Sequence, residues 1–174
     1  MATVETFCGR EDFSVDEAEI SEILNFLSGN VPWEFPAGTL SVAFFGDDEI
    51  CRMHEEFLGD PSKTDVITFP GDEVFSAPRA RTGAPRADDD YAFAGEICVC
   101  VDQAQRMARE LGVAPVDELL LYLVHGWLHL AGLDDIEDAD RAEMRAAEAT
   151  AIALLRGAGL APLKSAAFPR EDRG

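Results

Sequence analysis

The chain has 174 residues, 47% hydrophobic and 28% charged, a balance that fits one globular domain and excludes a disordered or low-complexity chain. No stretch free of formal charge exceeds the 15 residues from Leu119 to Leu133, which is too short for a bilayer span, so no membrane partner is expected. The formal charge of −20 disfavours a surface that tracks nucleic-acid phosphates, yet the acidity is front-loaded, with 14 acids against 2 bases in residues 1–60. In chain order, TVETF (3–7) has the residues of a short strand. SVDEAEISEILNFL (14–27) then spaces Val15, Ile20, Ile23, Leu24 and Leu27 for one helical face, with Ser14 as N-cap. After the turn-rich NVPWEFPAG, TLSVAFFG predicts a strand, and DDEICRMHEEFLG a helix capped by Asp47 or Asp48 and stopped at Gly59. DVITFP is a further strand, ended by Pro70.

Residues 71–91 combine Gly71, Pro78, Gly83 and Pro85 with Arg79, Arg81, Arg86 and the run Asp88, Asp89, Asp90. Lacking apolar periodicity, they predict an enlarged surface loop. AFAGEICVCV is a strand of buried type, and DQAQRMARELG a helix ending at Gly112. Pro115 opens VDELLLYLVHGWLHLAG, a strongly apolar helix ended by Gly132 and expected to be central. The acids of DDIEDAD suit the start of a last helix, whose Met144, Ile152 and Leu155 share one face. Residues 164–174 read as a flexible tail, leaving one domain over 1–163. Strands and helices mingle without strict βαβ alternation, so the expected class is α+β, a small mixed four-stranded sheet packed with about five helices. GxGxxG, GxxxxGK[ST] and GxSxG motifs are absent.

MATVETFCGREDF has neither the basic start nor the apolar run of a secretory signal, so a cytoplasmic location is expected. Cys8 and Cys51 stand apart, whereas Cys98 and Cys100 share one face of a strand. Without further cysteines close by, that pair reads as buried thiols in preference to a metal site.

Two of the three histidines, His125 and His129, lie four apart on the most apolar helix. That spacing puts both imidazoles on one face, with Cβ atoms about 6 Å apart. It serves either a hydrogen-bonded core pair or two ligands of one ion. The surroundings favour the ion. Gly126 leaves space beside the first imidazole, Gly132 breaks the helix past the second, and Leu133, Asp134 and Asp135 return the chain so that Asp135 completes a His, His, Asp set. Three protein ligands leave a position open for water, the arrangement of a catalytic zinc site, where the water's pKa falls to ~7. Gly126 occupies the place where HExxH peptidases carry their general base, which disfavours that chemistry.

HGWLHLAGLDD (125–135) resembles the signature HGxLHLxGYDH of the YbeY family, bacterial metal-dependent endoribonucleases of ribosomal RNA maturation. FLGDPSKTDVITFP (57–70), GEICVC (95–100) and the helix over 140–160 are similar to further segments of the same family. The resemblance implies a zincin-like metal-hydrolase architecture and one divalent metal, usually zinc, on His125, His129 and Asp135. It also implies single-strand-specific endoribonuclease activity in 16S rRNA 3′ end maturation and ribosome biogenesis. The implied partners are single-stranded RNA, the 16S rRNA precursor, and the small ribosomal subunit or its associated proteins.

Two positions depart from the family pattern. Asp135 stands where the family usually has His, which lowers the charge of ion plus ligands and shifts preference toward harder metals such as manganese. Leu58 replaces an Arg that faces the substrate in many members, so contact with RNA passes to Lys63 or to Arg79, Arg81 or Arg86. His54, where the family commonly has Asn, is expected to hydrogen-bond and not to ligate. Asp65 and Thr68 read equally as cleft residues or as turn and edge hydrogen-bonders, and Asp134 equally as a group orienting a ligand imidazole or as a turn cap. Asp134, Lys63 and Asp65 are the side-chain candidates for catalysis, with metal-activated water as the default nucleophile. The alternative functions are a ribosome-maturation binding factor with a mainly structural metal, and a zinc hydrolase of another substrate class.

Overall fold

The computed structural model describes residues 2–71 and 93–169. Residues 72–91 of the expected loop, with its three arginines, and residues 170–174 lie outside the described residues. Along the chain run β1 (Thr3–Cys8), α1 (Glu17–Asn30), β2 (Thr39–Phe45), α2 (Asp47–Leu58), β3 (Val66–Pro70), β4 (Phe93–Cys100), α3 (Val101–Leu111), α4 (Pro115–Leu130) and α5 (Asp138–Gly157). The strands form one mixed sheet in the order β1-β2-β4-β3, in which β1, β2 and β4 are parallel and β3 is antiparallel to β4. This is the α+β arrangement that the element pattern predicts.

Both sheet faces are covered, which is why β2 and β4 read as nearly continuous apolar runs. Leu40, Val42 and Phe44 of β2, with Ile97 and Val99 of β4, face the main core, together with α1, α4 and α5. Ala43, Cys98 and Cys100 point the other way and meet Ile50 of α2 and Ile67 of β3 in a second, smaller core. The main core is built around α4, where Leu119, Leu120, Leu123, Val124, Trp127 and Leu128 are buried. At roughly 1.5–3 kcal/mol for each large apolar side chain buried, α4 is the most strongly anchored helix of the fold. Phe35 stacks on Trp127 at 4.9 Å.

Local starts and stops differ from the sequence reading at three places. Helix α1 begins at Glu17 with Asp16 as N-cap, its carboxylate accepting from the Ala18 amide at 2.9 Å. Ser14, expected to be the cap, instead exchanges backbone hydrogen bonds with Ala167. Neither Asp47 nor Asp48 caps α2. Gly46 is the N-cap, and the Asp47 amide donates to the carboxylate of Asp102 on α3 at 2.9 Å. The start of the expected tail is tied down: Glu19 accepts from the Lys164 and Ser165 amides at 2.8 and 2.9 Å, and Phe168 meets Phe13 edge-on at 5.4 Å. Such long-range partners carry no local sequence signal. Gly59 and Gly112 end their helices as expected.

Candidate metal centre

Between Leu119 and Leu130 only Leu121, His125 and His129 escape full burial. They are spaced by four residues, so the one stripe of α4 that opens to solvent is the imidazole stripe. The position of this stripe is set by Gly126, which flanks it about 100° around the helix. A Cβ there would lie 2.6 Å from Ile97 Cγ2 and 3.1 Å from Val66 Cγ2. Glycine therefore lets α4 lie close on β3 and β4; the space expected beside His125 is filled by the sheet.

Helix α4 ends with the Ala131 amide bonded to Trp127 O and the Leu133 amide to Leu128 O, and Gly132 at φ +95° turns the chain back. The turn does two things. The Leu133 carbonyl accepts from His129 Nδ1 at 3.1 Å, and Asp135 comes to face both rings. The two Nε2 atoms are 2.9 Å apart, and the Asp135 carboxylate lies 3.6 Å from His125 Nε2 and 3.8 Å from His129 Nε2. Asp134 spends its carboxylate on the Asp135 amide at 2.8 Å, so it shapes the turn and does not orient a ring.

The outward nitrogen of His125 has a partner that sequence reasoning missed. Nδ1 bonds Glu148 Oε1 of α5 at 2.6 Å. Glu148 sits beside the apolar stripe of Met144, Ala147, Ala151 and Leu155, and an acid on the buried side of an amphipathic helix was the available signal. Burial opposes the charge on His125, but the Glu148 hydrogen bond and the carboxylates of Asp65, Glu148 and Asp135 outweigh it and hold its pKa above the ordinary histidine value.

This geometry fits a cation. A carboxylate and a carbonyl can only accept, so both Nδ1 atoms carry hydrogen, and in their neutral form the two imidazoles turn Nε2 lone pairs toward each other and toward Asp135. In that form three acceptors converge with no donor among them, which is the form a metal requires. A tetrahedral ion with bonds of ~2.0–2.1 Å would space its ligand atoms about 3.3–3.4 Å apart, in the middle of the observed distances. Among the described residues, His125, His129 and Asp135 are the group of His, Cys, Asp and Glu side chains close enough to hold a metal.

The centre lies at one side of a cleft of about 170 Å³ lined by Asp65, Leu121, Tyr122, His125, Asp135, Arg141, Met144, Arg145 and Glu148. None of the acid-rich residues 1–60 lines it. Asp65 satisfies both sequence readings, since it lines the cleft and its Oδ1 also accepts from the Val66 amide at 2.9 Å. Tyr122 donates to Glu118 one turn away, and burial raises the pKa of both. Thr68 is absent from the lining; its methyl faces Gly126. Lys63 is bound to Asp47 at 2.6 Å, alongside the Arg106 fork to the same carboxylate, and these partners hold Asp47 well below the usual carboxylate range. His54 Nδ1 lies 2.9 Å from the Ser62 carbonyl and takes no part in the ligand cluster. Leu58 is 64% exposed and also outside the cleft lining. Cys98 and Cys100 are buried, and burial pushes both thiols up to about 12.

A helix carrying two imidazoles and a tight turn returning a carboxylate, packed on a small mixed sheet, form a group that could hold a metal on an α+β fold consistent with the zincin-like type. The model of the family described as endoribonuclease YbeY matches residues 9–156, and the chain belongs to that family. Relatives named endoribonuclease YbeY include one from Kineococcus radiotolerans, 32% identical over 75% of this chain and 71% of the relative, and one from Beutenbergia cavernae, 32% identical over 75% and 83%. A solution structure of a Thermotoga maritima protein superposes with a TM-score of 0.53 at 25% identity, covering 90% of this chain and 91% of that one. No helix among the described residues is long and apolar enough to cross a membrane.

Proposed function

We propose that the protein is a single-strand-specific, metal-dependent endoribonuclease that acts in 16S rRNA 3′ end maturation, in the cytoplasm and in contact with the small ribosomal subunit. The observation that carries this reading is the convergence of His125 Nε2, His129 Nε2 and Asp135 on one point beside an open cleft, in a chain of the YbeY family. These three residues would hold zinc, or manganese given the carboxylate ligand. Such an ion supplies activated water near neutral pH and positive charge for a phosphoryl oxygen.

The chain's own residues prepare the site. Glu148 and the Leu133 carbonyl fix both rings with Nε2 inward. Asp134 sets the turn that brings Asp135 into the ligand group. Asp65 places a carboxylate on the cleft wall, where it can accept a proton from water or a leaving group. A structural metal closes its shell with four protein ligands, and three donors beside a cleft favour catalysis over the binding-factor alternative.

The test is incubation of metal-loaded protein with single-stranded RNA, with and without chelator. Cleavage is expected to stop with chelator and in His129→Ala. RNA cleavage unaffected by that substitution would defeat the reading.

A further inference from the structure

The cleft contains a cation that neither the ligand set nor the fold employs. Arg141, Arg145 and Glu148 follow one another at helical spacing on α5, and all three line the cleft. Arg141 is engaged with the Asp138 carboxylate and the carbonyls of Asp135 and Ile136, so it braces the ligand turn. Glu148 is engaged with His125. Arg145 is exposed, and among the described residues nothing lies within ion-pair or hydrogen-bond reach of its guanidinium.

The charge balance gives that free guanidinium a purpose. Asp65, Asp135 and Glu148 share the cleft lining with Arg141 and Arg145, a formal charge of −1 with neutral histidines, which a divalent ion turns to +1. Without Arg145 the loaded cleft would be neutral, and a polyanion would gain nothing by entering it. Of the cations nominated by the sequence, Lys63 is paired with Asp47 and absent from the cleft lining, and Arg79, Arg81 and Arg86 lie outside the described residues.

We propose that Arg145 grips a phosphate of the RNA strand lying across the cleft, its guanidinium fork meeting two non-bridging oxygens beside the metal centre. The inference rests on the endoribonuclease reading and names the substrate-binding cation of that site. A guanidinium suits the task because its planar donors match two phosphate oxygens, which an ammonium does not.

The experiment compares the metal-loaded parent with Arg145→Gln and Arg145→Lys. A short single-stranded oligoribonucleotide is used for kinetics, and its slowly cleaved phosphorothioate form for binding across a salt series. Metal content of both variants should equal that of the parent. For Arg145→Gln, KM should rise about tenfold with a smaller change in kcat, the equivalent of one charge-assisted contact of about 1.4 kcal/mol. The slope of log affinity against log salt should flatten by about 0.7, the value for one single-strand phosphate contact. Arg145→Lys should restore the slope and only part of the affinity. A parent that cleaves, with Arg145→Gln matching it in KM and slope, overturns this contact and leaves the nuclease reading intact. A parent that does not cleave, with Arg145→Gln still weakening binding and flattening the slope, overturns the nuclease reading and leaves the contact standing. Loss of metal from Arg145→Gln, or a parent that binds no oligonucleotide, overturns the proposal.

Discussion

Cys98 and Cys100 on β4, and His125 and His129 on α4, are pairs of side chains of a kind that can bind metals, each spaced to lie on one face. The thiols point into the small core under α2 among Ala43, Ile50 and Ile67. His125 lines a cleft bordered by carboxylates, and His129 sits beside it with Nε2 turned toward His125 and Asp135. Alignment is thus common to both, and the surroundings separate them. Burial pushes both thiols up to about 12, with nearby carboxylates adding to it, among them Asp47, which accepts from Cys100 Sγ at 3.4 Å, whereas Glu148, Leu133 and Asp135 orient the imidazoles toward one point. A ligand pair becomes a centre when its partners stabilise the ligating form.

The comparison breaks most sharply at the ligands. His129→Ala removes one of three donors and should lower metal affinity by more than about 100-fold, beyond the range for outer partners. Elemental analysis after dialysis, together with loss of RNA cleavage, checks this. Next comes the outer partner itself. Glu148→Gln keeps the shape and removes the charge behind His125, and should cost about 10–100-fold in metal affinity or activity. Competition with a fluorescent chelator would measure it, and parent-like affinity would show that the Nδ1 contact contributes nothing.

Acidity should act on the imidazole pair with a definite sign. In metal-free protein the pKa of His125 is raised, so its protonated form stabilises the fold below the ordinary histidine value of 6.5, and that stabilisation disappears as pH rises through the folded value. A metal needs the neutral ring and acts in the opposite direction. The difference in Tm between metal-loaded and chelated protein should therefore widen as pH rises through that window; a gap independent of pH would contradict the assignment.

A smaller effect is expected where α4 meets the sheet. Gly126→Ala gains helix propensity of up to about 1 kcal/mol but forces its Cβ on Ile97 at 2.6 Å, an overpacking cost of about 1–3 kcal/mol. Denaturant unfolding should show a net loss of about 1 kcal/mol, with a drop in metal affinity if α4 shifts. The least effect belongs to the thiols: Cys98→Ala should leave metal content unchanged, and both buried thiols should react with a thiol reagent only on unfolding.

Much of the architecture was legible because it rests on local chemistry. Among the described residues periodicity located the five helices, alternation and apolar runs located the strands, and Gly59, Gly112 and Gly132 marked real stops. The caps of α1 and α2 were misplaced because they compete with distant partners, Ala167 for Ser14 and Asp102 for the Asp47 amide. At the site, the His125, His129 and Asp135 group was visible since all three lie within one helix end and its turn. Glu148, 23 residues beyond His125, and the two arginines of its helix face were not.

By itself the amino-acid order determined which residues could converge within a single turn of backbone, because a helix and a glycine-closed bend have fixed local geometry. Tertiary packing alone decided which charges surround them: α5 docks across α4 and delivers Glu148, Arg141 and Arg145 to the cleft, while Lys63 is drawn to Asp47 and the acid-rich residues 1–60 stay outside the cleft lining. Electrostatic interactions act over distances in space, and separation along the chain does not reveal those distances.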